Sequence, residues 1–200
     1  MRIRSMIVAL ACLATLLLDP VAAQDATPAA LAPADPELCT LNPLTPDDLQ
    51  RIVGTMATPE PTSTPITGNI VLPDGEELFT SEREELEKDI RRAIACVNTG
   101  EPLKALAAYT DAWIAQFLLA QGGLDDELIA GLQVDRNLQP DQYLQIVSFG
   151  DAARMSDDRV AIVVVGDDPT DDLDPRPRLF VMAEVRPGRY LIDEVVPIEV

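Results

Sequence analysis

Arg159-Val160-Ala161-Ile162-Val163-Val164-Val165-Gly166 decides the fold class. In an extended chain successive side chains point to opposite faces. Val160, Ile162 and Val164 therefore share one face, and Ala161, Val163 and Val165 share the other. Apolar character on both faces predicts a strand covered on both, hence central in its sheet. Ser156-Asp157-Asp158 supplies a turn before it, and residues 143–153 read as the preceding strand. Residues 167–177 form a long acidic, Pro-rich connection to a third strand at 179–185. Arg186-Pro187-Gly188-Arg189 then makes a tight turn, with Pro187 and Gly188 at the central positions of type II, and a fourth strand follows at 190–196.

Upstream of residue 142 the apolar period is helical. Ser81 and Glu84 make an S-x-x-E capping box, and Leu86, Ile90, Ala93, Ile94 and Val97 recur at helical steps. Asn98-Thr99-Gly100 ends this helix and Pro102 opens the next. Leu103, Leu106, Tyr109, Trp113 and Phe117 form one stripe, which Gly122-Gly123 stops. Thr110-Asp111 offers a break within it, with either residue able to cap the second half. Leu124, Leu128 and Leu132 predict a further short helix. Helices first and a meander of strands afterwards predict an α+β fold with an antiparallel sheet. There is no internal repeat.

Ala95-Cys96-Val97-Asn98-Thr99-Gly100-Glu101-Pro102, followed by Ala107-Ala108-Tyr109-Thr110-Asp111, resembles the opening helices of the NTF2-like superfamily. Gly188-Arg189-Tyr190-Leu191-Ile192-Asp193-Glu194-Val195 resembles its final strand. That superfamily includes SnoaL-like and ketosteroid-isomerase-like domains. The resemblance runs over roughly residues 80–200 and points to an exported bacterial branch. It implies a cone, a curved antiparallel sheet wrapped around helices with a cavity at its wide end. The family usually places a short strand between its second and third helices. No candidate lies near Gly122, which implies a sheet with one strand fewer. Fold alone does not assign function. The resemblance implies either an enzyme pocket or a binding and dimerisation module. Enzymes of this type often use a pocket Asp with Tyr or another Asp as oxyanion donor. Asp111 and Asp193 are the carboxylates nearest the matching segments, and neither matches a catalytic motif.

The N-terminus speaks to compartment. Arg2 and Arg4 precede an apolar run from Met6 to Leu18, which Asp19-Pro20 breaks. Val21-Ala22-Ala23 then presents small residues for cleavage before Gln24, so residues 1–23 read as a signal peptide. The run is shorter than the roughly 20 residues a bilayer span needs. An uncleaved anchor and a lipoprotein are the alternatives, the latter disfavoured because Cys12 lies inside the apolar run. Residues 24–80 read as a Pro-rich arm and linker. Within it, 24–36 has no apolar period, 57–67 is rich in Thr and Pro, and a short helix at about 46–55 starts at Thr45-Pro46. The expected domain is 81–200. Cys39 and Cys96 remain after export and are expected to form one disulfide, two buried thiols being the alternative.

Composition narrows the chemistry. The 200-residue chain has 47% apolar residues, enough for a real core, and a net charge of −19. Such a surface repels nucleic-acid phosphates and anionic lipid heads, so neither nucleic acid nor, after cleavage, a membrane is an expected partner. With no His, the Ser-His-Asp and Cys-His triads and His-ligated zinc are excluded. Asp167, Asp168, Asp171, Asp172 and Asp174 cluster, but without the glycine and closing Glu of an EF-hand they read as a solvated loop. No metal and no cofactor is expected. Tyr109, Trp113 and Phe117 at helical spacing, with Asp111 and Asp193, are the candidate ligand-binding residues, the plain alternatives being core, cap and surface. The leading expectation is a non-catalytic extracytoplasmic domain that binds a small apolar ligand or a protein partner. Two others stand beside it: an acid–base isomerase or dehydratase using pocket carboxylates, and a homodimer formed through the open sheet face.

Overall fold

Both-face apolarity places Val160–Asp167 at the centre of the sheet, as expected. The structure is a computed structural model that describes residues 34–55, 66–67, 75–169 and 175–199. The expected signal peptide, residues 24–33, most of the 57–67 linker, and Asp171, Asp172 and Asp174 lie outside the described residues. Among the described residues are α1 (Pro46–Thr55), α2 (Thr80–Asn98), α3 (Pro102–Leu106), α4 (Asp111–Ala120) and α5 (Asp126–Leu132). The strands are β1 (Ile66–Thr67), β2 (Glu76–Glu77), β3 (Gln145–Arg154), β4 (Val160–Asp167), β5 (Arg176–Arg186) and β6 (Arg189–Glu199). An antiparallel sheet runs in the order β6-β5-β4-β3-β2, and β1 adds in parallel beside β6. The protein is α+β.

One sheet face packs on α2. Leu86, Ile90 and Ala93 meet Val160, Ile162, Val164, Phe180 and Met182 there. Ala161, Val163, Leu179, Val196 and Ile198 form a separate buried cluster on the other face. These five side chains are buried within the single chain. A bulge in β6 maintains both clusters. Met182 pairs with Ile192 and Val181 with Glu194, leaving Asp193 as the extra residue. Ile192 therefore points to α2, and two strand residues beyond the bulge, Val196 and Ile198, point the opposite way.

Several boundaries differ from expectation. The Ser81–Glu84 capping box does not form. Arg83 N donates to Phe79 O, so α2 begins at Thr80, and Ser81 lies inside the first turn where it cannot cap. The strand predicted at 179–185 starts at Arg176, because backbone pairing of Gly166 with Arg176 and of Val165 with Pro177 extends it through polar residues. Two-residue strands at 66–67 and 76–77 were expected as linker. Other signals hold. Thr110 caps α4, its hydroxyl accepting from Trp113 N, and Gly188 has φ +71° in the predicted turn. At Thr45 and Asp48 a reciprocal cap opens α1. Tyr109, ahead of α4, makes a single parallel bridge with Ile192, where Thr110 N donates to Ile192 O at 2.9 Å.

The segment at 34–55 belongs to the same packed body. Cys39 and Cys96 form the expected disulfide. Asn98, buried at the end of α2, donates to Ala34 O and Leu144 O and accepts from Leu144 N. Leu49 and Ile52 of α1 pack fully buried against Ile114 and Leu118 of α4. The disulfide closes a sequence separation of 57 residues. Replacing both cysteines with alanine should lower unfolding free energy by about 4 kcal/mol on loop entropy. Asn98→Ala should cost about 3 kcal/mol by leaving buried backbone groups unpaired. Urea melts check both; an unchanged midpoint in either variant contradicts the tether it removes.

Candidate functional site: an aromatic groove beside α4

Tyr109, Trp113 and Phe117 lie four residues apart, and a helix brings such positions onto one face. Tyr109 precedes α4, but its bridge to Ile192 holds it in line with the helix. The rings stack: Tyr109 and Trp113 have centroids 4.0 Å apart, and Trp113 and Phe117 5.4 Å apart and nearly parallel. All three are half-buried and line a groove of about 250 Å³ between the end of α2, α3, α4 and α5. Val97, Leu106, Leu132 and Leu138 complete its apolar wall, with Glu101 and Arg136 as its charged residues. Burial pushes the Tyr109 phenol above its ordinary value, against the opposing charge of Arg178.

Gly100 fixes the far wall. Its φ of +74° ends α2 in the left-handed region, and a Cβ there would collide with the Arg136 carbonyl. The same close approach lets Arg136 N donate to Gly100 O at 2.7 Å. The chain after α5 is thus held against α2, and the groove has a floor and two sides.

The predicted carboxylates are elsewhere. Asp111 is exposed at the start of α4 and pairs with Arg51 of α1 at 3.1 Å. Asp193, the bulge residue, accepts from the Thr110 hydroxyl at 2.7 Å and pairs with Arg159 at 2.8 Å. Neither lines the groove. So the structure brings three of the five predicted residues together and leaves both acids outside. Between α2 and the sheet, Ile94, Ile146, Arg178 and Phe180 line a cavity of only about 30 Å³. That is room for about one water, not a substrate. Among the described residues no cluster of acidic or thiol side chains could hold a metal ion.

One polar constellation escaped the sequence reading. Glu82 of α2 pairs with Arg154 and accepts from the Tyr190 hydroxyl at 3.1 Å. Asp89, buried two helical turns further on, pairs with Arg92 and accepts from Tyr190 N at 2.7 Å. Its members lie on α2, β3 and β6, too far apart in sequence for any motif. Neither Glu82 nor Tyr190 lines the groove or the small interior cavity, so the network reads as a polar joint between helix and sheet.

Burial, then the hydrogen bond and charge of Glu82, push the Tyr190 phenol up from 10.0 to about 12. Below 10 the phenol is neutral whether folded or unfolded. Between the two values the unfolded phenol ionises while the folded one keeps its proton, so this contribution to stability falls as pH rises through that window. Tyr190→Phe should flatten part of the fall. A series of urea melts across the window on both proteins reads the difference; parallel curves would contradict the raised phenol.

No family model, no curated protein and no solved structure matches this chain.

Proposed function

We propose that this protein is an exported, non-catalytic binding domain of the NTF2-like cone type, and that its ligand is a small, flat, apolar molecule held in the aromatic groove. The stacked wall of Tyr109, Trp113 and Phe117 carries the reading. Half-buried rings stacked on one another cover each other's faces and turn apolar edges to the open groove, and a flat ligand can lay its face across those edges and take them from water. The volume suits one or two fused rings.

Export is supported by the N-terminal sequence and by the disulfide, which suits an oxidising compartment. Among the described residues no helix is long and apolar enough to cross a membrane. The cone assignment is supported by the order of helices and antiparallel strands. The non-catalytic reading is favoured over an isomerase or dehydratase because Asp111 and Asp193 face Arg51 and Arg159 rather than the groove. A general base must lie within hydrogen-bond reach of its substrate.

Trp113 is the single Trp of the chain, so its emission reports the groove directly. Titrating the exported chain with 2-naphthalenemethanol should quench that emission saturably. Ala105→Phe, which fills the groove from α3, should abolish saturation without changing the circular dichroism spectrum. Linear, unsaturable quenching that is identical in the two proteins would remove the groove as a binding site.

A further inference from the structure

The charges along the groove indicate which flat molecules it prefers. Glu101 and Arg136 both line it. Glu101 is already committed, with Lys104 donating to it at 3.1 Å. Arg136 is exposed, and among the described residues its side chain makes no hydrogen bond or ion pair. Most cations of the helical layer are engaged: Arg51 with Asp111, Arg83 with Glu87, Lys88 with Glu85, and Arg92 with Asp89. An acidic chain offers an arginine many partners, and this one has none in the groove.

Its backbone is anchored all the same. Arg136 N donates to Gly100 O, and the Gly100 backbone lies directly against the Arg136 carbonyl. A fixed Cα with a free guanidinium on a long stem sits at the edge of an apolar, aromatic-walled slot. The guanidinium fork matches a carboxylate bidentately. The neighbouring Asp135 is exposed and does not line the groove.

We propose that the groove selects small planar aromatic carboxylates, the ring lying against the Trp113 stack and the acid group meeting the Arg136 guanidinium. This rests on the groove being the binding site. The net charge of −19 opposes anions at long range, but exposed charges beyond about 8 Å are screened at physiological salt. A contacting guanidinium is not, so the local cation outweighs the distant acids. Lys104 matters in the same way, because an unpaired Glu101 would repel the incoming carboxylate.

The test compares 2-naphthoate with the neutral 2-naphthalenemethanol on the exported chain, read by Trp113 quenching at physiological salt. The carboxylate should bind about tenfold more tightly, the worth of one charge-assisted pair. Arg136→Gln, at an exposed position outside every apolar cluster, should remove the carboxylate's advantage, bringing the ratio of the two probes' affinities to about one. Saturable binding of both probes with equal affinity in the parent chain overturns the anion preference and leaves the groove intact as a site. A carboxylate preference that survives in Arg136→Gln also overturns it. Saturation by neither probe removes the groove itself, and the anion preference with it.

Discussion

The last turn of α2 carries three tethers between Cys96 and Gly100. Cys96 is bonded to Cys39, Asn98 holds the backbone at Ala34 and Leu144, and Gly100 receives the chain at Arg136. Each tether recruits a segment remote in sequence: the N-terminal stretch, the entry to β3, and the loop after α5. A helix end has unsatisfied carbonyls and cannot bury them without partners. Here the left-handed Gly100 closes the helix, and a buried amide side chain serves both strands of chain that pass it. Without this hub the loop at 136 would lose its hold on the end of α2, and the groove would lack one side.

The sheet depends on a different constraint. A strand that serves two buried faces must alternate strictly, and any one-residue slip exchanges the faces. β4 alternates without interruption. β6 does not: its inward and outward sets are out of phase, and the bulge at Asp193 absorbs the mismatch. The extra residue is then turned toward Thr110 and Arg159, where a carboxylate is fully used. That one irregularity links the cap of α4 to the sheet. It also commits an acid beside the aromatic segment to partners within the fold.

Much of this was legible in residues that act locally. The Thr110 break, the Gly188 turn, the reciprocal cap at Thr45 and the two-faced β4 each follow from a few neighbouring side chains. The misleading signal was Ser81 with Glu84, where the box lost to a helix start two residues earlier, with Phe79 at the cap position. The two-residue strands at 66–67 and 76–77 gave no period to read, since backbone pairing alone makes them. In the groove, the aromatic stripe was visible because helical spacing creates it. Arg136 was not, because nothing in its own neighbourhood places it against Gly100, thirty-six positions earlier. The joint of Glu82, Arg154 and Tyr190 was hidden for the same reason.

That joint and the groove show how similar residue types diverge by access. A carboxylate beside a Tyr with a raised phenol has the composition of an acid–base site. Glu82 is nevertheless saturated by Arg154 and by the phenol, and it faces no cavity of useful size. Proton transfer to a substrate needs an unspent lone pair within reach of one. The groove has the converse character: open apolar walls, no uncommitted acid, and a cation whose charge is unspent. Polar groups satisfied inside a protein hold it together, whereas those left free at an opening are available to what arrives from outside. By that distinction the interior of this molecule is a joint, and the flank of α4 is where we propose that recognition occurs.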